Sequence, residues 1–502
     1  MKEEITMNLN PLVQFLGKMP HEFTKSDIIK YIEENGIQMV NFRYAAQDGR
    51  LKTLNFVINN RDYLEQILSA GERVDGSNIF PAYIHADSSD LYVVPRFSTA
   101  FVDPFNEIPT LCLLCSYFNK DGQPMENAPE NILRKALKSF EDTTEMRFQA
   151  MGELEYYVIA EEEDLFPAQS QCGYHESMPF AKFEEFRTEC MLLIAKAGGQ
   201  IKYGHSEVGN FTLNGKIYEQ NEIEFLVNDA MDAADQLLIA KWIIRTLSYQ
   251  YGYNVTFAPK ITSGKAGSGL HIHTRIVDKS GENKMVEHGK LNSVAKNAIA
   301  GYMTCAAALT AFSNTNPTSY FRLVPHQEAP TTICWGDRNR SVLVRVPLGW
   351  THKNDIVADI NPLEKPQHKN LSQKQTVEFR CPDGSADIYL LIAGLTVAAR
   401  HGFEMKNAID FAEKTYVNVN IHEPAEKARL LSLEQLPASC CESADALAQK
   451  RDIFQSHGVF PAEMIDDMIL YLKSFDDKDI RKEIEKNPER MMELVNQFFH
   501  CG

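Results

Sequence analysis

The chain has 502 residues, enough for more than one core, with the apolar and charged fractions of an ordinary globular protein rather than a disordered one. A formal net charge of −17 argues against nucleic acid or an anionic membrane surface as the main partner, since either needs a local excess of Lys and Arg. The N-terminal stretch MKEEITMNLN has no apolar core for a signal peptide, and the longest apolar run, near Tyr389 to Ala399, is too short for a bilayer, so a soluble, cytoplasmic protein is expected.

In chain order, TKSDIIKYIEENG predicts a helix that Thr24 or Ser26 caps, with Ile28, Tyr31 and Ile32 on one face and Gly36 as its stop. Val40, Phe42 and Tyr44 then alternate, Asp48-Gly49 signals a hairpin turn, and Leu54, Phe56 and Ile58 alternate on the return. This reads as a small α+β unit ending at the proline-marked FVDPFNEIPT, which places an N-terminal domain over 1–107 and a second, larger domain over 108–502. The ten cysteines are scattered, mostly in apolar runs, and Cys112-x-x-Cys115 has no second pair at zinc spacing, so all are read as reduced and structural.

Beyond that unit, strands are predicted at Leu154 to Ile159, Val255 to Ala258, Leu270 to Ile276, Val342 to Val346 and Val377 to Arg380. The clearest helix runs from Ala233 to Tyr251, with Leu238, Trp242, Ile243 and Ile244 on its buried face and Gly252 ending it. Strands and helices mix without a βαβ rhythm, which points to an α+β class. The segment from Leu348 to Gln375 reads as loop-rich, and a charged amphipathic helix beginning near Asn487-Pro488 reads as a packing or assembly element.

Glu153 and Glu155 stand two apart in a strand-like run, so both carboxylates point to one face, where like charges are stable if exposed, protonated or joined to a cation such as a divalent ion. Glu207 and Glu222 flank a polar, glycine-containing connection, where either can equally be a solvated loop residue. His271 and His273 follow a glycine-rich approach and again share a strand face. Arg322, Arg338, Arg340 and Arg345 cluster around an apolar run, suited to phosphate or carboxylate or else to internal salt bridges. Glu378 and Arg380 pair an acid able to hold a metal with a base able to hold an anion.

Taken together and in this order, the motifs resemble the glutamine synthetase family, in particular the bacterial type I enzymes, over nearly the whole chain. RVDGSNI and SSDLYVVPRFSTAFVDPF are similar to its N-terminal signature, MGELEYY to its first metal motif and TFAPKITSGKAGSGLHIH to its ATP-site motif. NPTSYFRLVPHQEAP and RNRSVLVRVP resemble its glutamate and phosphate segments, and VEFRCPDGSADIYL its final metal strand.

The resemblance implies a β-grasp-like N-terminal domain, a catalytic α+β domain whose antiparallel strands carry the site, and ligation of ammonia to the side chain of L-glutamate at the expense of ATP. It places one Mg²⁺ or Mn²⁺ on Glu155, Glu207 and Glu222 and a second on Glu153, His271 and Glu378. His273, Arg340 and Arg345 would face the nucleotide. Arg322, Gly267 and Arg380 would hold glutamate, Glu328 would close over the γ-glutamyl phosphate intermediate, and Asp75 would take a proton from ammonium across the interface of a homododecamer built from two hexameric rings.

Departures from the family pattern fall in the same motifs. Asn78 stands where a serine lines the ammonium site, Ala266 and Lys265 replace an asparagine and an acid, Thr376 replaces a phosphate-facing arginine, and Arg275 replaces a serine near the nucleotide. Leu431 stands where regulated bacterial enzymes carry a modifiable tyrosine, which implies no adenylylation control. Two rival readings stay open: a γ-glutamyl ligase for another amine, such as a polyamine or ethanolamine, and a catalytically silent member with a structural or regulatory role.

Overall fold

The computed structural model describes residues 2–81, 84, 89–324, 329–349, 355–366, 371–420, 431–487 and 489–502. The helix predicted first runs Lys25–Glu34, with Thr24 and Asp27 forming a reciprocal capping box and Gly36 at φ 64° just past its end. Strands β1 (Met39–Ala45) and β2 (Leu51–Val57) form the predicted hairpin, with Phe42 opposite Leu54 and the Phe42 and Phe56 rings 4.7 Å apart. They join β3 (Glu72–Asp75), β4 (Asp90–Pro95), β5 (Phe101–Val102) and β6 (Thr110–Phe118) in a six-stranded sheet of order β2-β1-β6-β4-β3, β5 pairing β6. Strand β6 follows the boundary expected at 107 yet runs parallel to β1, so the chain leaves this sheet only after Phe118. The proline-marked stretch before it is a turn within the sheet's own connectivity.

The larger sheet has nine strands: β7 (Arg147–Glu161), β8 (Ile201–Leu213), β9 (Lys216–Phe225), β10 (Asn228–Asp229), β11 (Asn254–Thr256), β12 (Leu270–Val277), and, after a small β13 (Val286–Glu287) and β14 (Lys290–Leu291) ribbon, β15 (Trp335–Asp337), β16 (Val344–Val346) and β17 (Val377–Phe379). Its order is β15-β16-β17-β12-β7-β9-β8, with β10 and β11 also on β7. All pairings are antiparallel except β15 with β16.

One face of this sheet is buried under helices. Helix Ala230–Tyr251 is buried on nearly all sides and crosses β7 at Gly152, where an added side-chain carbon would lie 2.9 Å from Leu237. Helix Ser293–Ser313 sets Tyr302 against Thr274 (2.9 Å) and Phe379, and helix Ile388–Glu404 packs against it through glycines: a side-chain carbon at Gly301 would strike the Ala398 carbonyl, and one at Gly402 the Asn297 carbonyl. The N-terminal sheet seats on helix Ala230–Tyr251, where half-buried Arg96 forks onto Asp235 at 2.6 and 2.8 Å and the Arg43 guanidinium lies 3.8 Å over Trp242.

The C-terminal helix Glu489–Phe498 buries Met491, Leu494 and Val495 in a cluster with Tyr157 and Phe211, which makes it a packing element. All ten cysteines are free, and burial pushes the Cys112 thiol up to about 12. No helix among the described residues is long and apolar enough to cross a membrane.

Candidate active site

The face of the nine-stranded sheet turned away from the helices is built from charged side chains. Period-two geometry on β7 sends Glu153 and Glu155 to this face while Gly152 and Leu154 go to the core, and on β12 it sends His271, His273 and Arg275 here while Ile272, Thr274 and Ile276 go the other way. Register then aligns them in rows: His271 opposite Glu153 opposite Glu224, Glu155 opposite Glu222 opposite His205, and His273 opposite Glu378 opposite Arg345. The rows line a cavity of 1260 Å³.

Glu153 is the centre. Its Oε2 lies 2.9 Å from His271 Nδ1 and its Oε1 2.8 Å from His273 Nε2, while His273 Nδ1 is 2.8 Å from the Thr376 hydroxyl. Glu378, 2 % exposed, accepts from Arg345 Nη1 at 2.8 Å and Arg380 Nε at 3.0 Å, and its Oε1 is 3.7 Å from His271. Burial alone would raise the carboxyl of Glu153, but the imidazoles of His273 and His271 hold it well below the usual carboxylate range. Burial and the nearby charge of Glu153 would raise Glu378 too, and Arg380 and His273 reverse that. His273 is held above its ordinary value because Glu153 outweighs the burial that would lower it.

At the other end the balance is opposite. Burial, together with Glu153, Glu155, Glu207 and Glu224, pushes the Glu222 carboxyl well above its ordinary value. His205 lies between Glu222 (3.4 Å) and Glu207 (3.8 Å), with its Nδ1 3.1 Å from the Ser206 carbonyl. Glu224 takes one cation, Lys202, at 2.5 Å. This surplus of carboxylates, with imidazole interleaved, is the donor chemistry of Mg²⁺ or Mn²⁺, and among the described residues three groups each bring their ligand atoms within 4.8 Å of one another: Glu153, His271 and Glu378; His205, Glu207 and Glu222; and Glu153, Glu224 and His273.

The structure therefore gathers Glu153, His271 and Glu378 as the sequence reading grouped them. It sets Glu207 and Glu222 with His205, whereas the Glu155 carboxylate accepts from the Gly269 amide at 2.7 Å and Gln220 Nε2 at 3.0 Å and stands 3.9 Å from His271 Nε2, still on the cavity wall. Glu207 and Glu222 are strand residues of the β8–β9 hairpin, not loop residues. Arg322 is buried, donates to the carbonyls of Cys381 (2.9 Å) and Arg380 (3.3 Å) and presses on Gly267, where a side-chain carbon would meet the Pro259 carbonyl at 2.5 Å and Arg322 Cγ at 3.0 Å. Arg340 and Arg345 line the cavity, and the Arg340 carbonyl accepts from Arg380 Nη1.

Among the described residues, two of the candidates, Asp75 and Arg338, stand off this cavity. Asp75 is exposed at the end of β3, accepting from Ser77 (3.0 and 2.7 Å) and Asn78 Nδ2 (2.5 Å), and lines no part of this cavity. Glu328 lies outside the described residues, as do parts of the 348–375 segment. Arg338 is exposed, with a φ of 55°, and is not on the cavity wall. The sequence reading did not single out His205, Glu224, Lys202 or Gln220. The signal was the same alternation used elsewhere, 205 with 207 and 220 with 222 and 224, obscured by a register shift between Ser206 and Asn210.

Comparison with known proteins agrees with this geometry. Residues 126–492 match the family model described as "Glutamine synthetase, catalytic domain", and 36–120 match "Glutamine synthetase, beta-Grasp domain". A glutamine synthetase of Nostoc sp. is 29 % identical over 483 residues, covering 89 % of this chain and 94 % of the relative. Among solved structures, the Plasmodium falciparum glutamine synthetase superposes with a TM-score of 0.74 at 20 % identity, covering 91 % of this chain and 97 % of that one. A GmaS/ADP complex does so at 0.73 and 19 %, covering 92 % and 99 %. With both domain models matched in order and the acidic, histidine-bearing strands aligned across one cavity, the chain belongs to the glutamine synthetase family and is a ligase of that type.

Proposed function

We propose that this chain joins ammonia to the side-chain carboxylate of L-glutamate, converting ATP to ADP and phosphate and giving L-glutamine through γ-glutamyl phosphate in the cytoplasm. The observation that carries the reading is a cavity in which Glu153 lies between His271 and His273 while Glu378, on the strand beyond β12, holds Arg345 and Arg380. Such a site is needed because the attacking carboxylate and the γ-phosphate are both anions.

In this reading Arg322 and the Gly267 backbone hold glutamate, and His273, Arg340 and Arg345 hold the nucleotide. Arg340 and Arg380 stabilise charge on the phosphoryl group as the glutamate oxygen forms its bond to phosphorus and the bond to ADP breaks. Glu155, Glu207 and Glu222 hold one Mg²⁺ or Mn²⁺, and Glu153, His271 and Glu378 another; bound there, the ions supply positive charge that masks repulsion between the reactants. Glu328 closes over the mixed anhydride against water. Asp75, reaching the site from a neighbouring subunit of a homododecamer, takes a proton from ammonium so that neutral ammonia attacks the acyl carbon and phosphate leaves.

A second acceptor is favoured by one contact: the Asp75 carboxylate is engaged by Asn78 at 2.5 Å, which alters the group that would meet the amine. Phosphate release from ATP with glutamate and Mg²⁺ or Mn²⁺, comparing ammonium with methylamine, ethanolamine and a polyamine and weighing the product, decides between them. Ammonium-dependent glutamine formation supports the main reading, release with a larger amine alone renames the acceptor, and no release with any amine leaves a silent assembly.

A further inference from the structure

The cations around the cavity are not equally neutralised. Lys202 is matched by Glu224, and Arg345 and Arg380 by Glu378. Arg275 has no carboxylate within ion-pair distance among the described residues. Its Nε and Nη2 both donate to Gln149 Oε1, at 2.9 and 2.6 Å, and its Nη1 donates to the Gln373 carbonyl at 2.8 Å. Those bonds use three of the five guanidinium N–H groups and fix the plane of the fork from two sides.

Asp229, an acid whose charge reaches Arg275, is engaged by Gln149, whose Nε2 donates to it at 3.0 Å, and by Arg147 at 3.4 Å. A half-buried guanidinium tied only to neutral oxygens keeps its whole charge, and holding it there costs solvation that only an anion would repay. The side chain lines the cavity on the face of His271 and His273. The next position of the β12–β17 ladder sets it opposite Thr376, a neutral residue whose hydroxyl is occupied by His273.

We propose that Arg275 is a phosphate-anchoring residue that binds the nucleotide's α- or β-phosphate, not the transferred group. The assignment rests on the ligase reading above. It follows from position: Arg275 stands two residues past His273, about 7 Å further along the strand from the carboxylates that seek a cation. The phosphate it meets is therefore one that ADP retains.

Titration calorimetry of the full-length protein with MgADP, MgATP and adenosine tests this. Arg275→Gln is expected to weaken MgADP and MgATP alike by about tenfold or more and to leave adenosine unchanged, and Arg275→Lys to recover part of the loss, since it restores charge without the two-point hold. In turnover, the KM for ATP rises while kcat changes little. Unchanged MgADP affinity in Arg275→Gln, an equal loss of adenosine, or a fall in kcat at constant KM would overturn the assignment. Failure of the wild-type protein to bind any nucleotide would remove the ligase reading and this inference together, whereas normal nucleotide binding without glutamine formation would leave the Arg275 test intact.

Discussion

The two ends of the catalytic sheet face treat buried acid in opposite ways. On β16 and β17, Glu378 is as deeply buried as any carboxylate of the site, yet it is clasped by Arg345 and Arg380 and held below its ordinary pKa. On β8 and β9, Glu222 is nearly as buried but has other acids for company, and its carboxyl is pushed well up. At the first end the acid is already matched by guanidinium groups, and those groups line the cavity. The second end keeps a surplus of buried acid, donor chemistry that suits a cation.

The largest test of this contrast is Glu378→Ala, which removes the acid that both arginines and His271 address. Metal-dependent ATP turnover is expected to fall by about a hundredfold or more with circular dichroism unchanged, and retained turnover would mean that the compensated end is not part of the reaction. Arg345→Ala leaves Glu378 with Arg380 as its one guanidinium partner, beside the more distant His271 and His273; turnover should fall by about tenfold to a hundredfold and stability by about 2 kcal/mol in urea titrations.

Glu222→Gln should act with the reverse sign on stability. In chelator it relieves repulsion and is expected to stabilise the protein by about 1 kcal/mol, while added Mn²⁺ is expected to raise the melting temperature of the wild type and to raise that of the variant less. The pH dependence follows from the raised pKa of Glu222. The native state keeps a proton that the unfolded chain releases from about the ordinary value of 4.5 upward, so in chelator stability is present below that value and lost as pH rises through the folded pKa; Glu222→Gln flattens that slope. The smallest effect belongs to Thr376→Val, which removes the 2.8 Å bond to His273 and should raise the KM for ATP about threefold.

Much of this site was legible because strands alternate. Glu153 with Glu155, His271 with His273 and Glu378 with Arg380 were each found from two-residue spacing, and all lie where that spacing puts them. The β8–β9 hairpin was not, since YEQNEIEF looks like solvated sequence. In the fold Glu219, Gln220, Asn221, Glu222 and Glu224 are all buried, because polar partners reach them: the Lys182 amide for Glu219, Arg187 for Asn221 and Lys202 for Glu224. Buried polar strands escape a reading that equates polarity with exposure. The position of β6 was missed for a different reason, since prolines mark turns inside a sheet as well as boundaries between domains.

Strand β12 carries a further consequence. Its odd-numbered residues from His271 to Arg275 face the cavity, while Ile272, Thr274 and Ile276 lie under the helices. A single inserted or deleted residue within it would exchange the two sets, sending imidazoles into the apolar layer and isoleucines into the substrate space. Changes of length in this part of the chain are therefore admissible only in the flanking connections, and a library of one-residue insertions across 260–292 should show a sharp window of intolerance coinciding with Leu270–Val277.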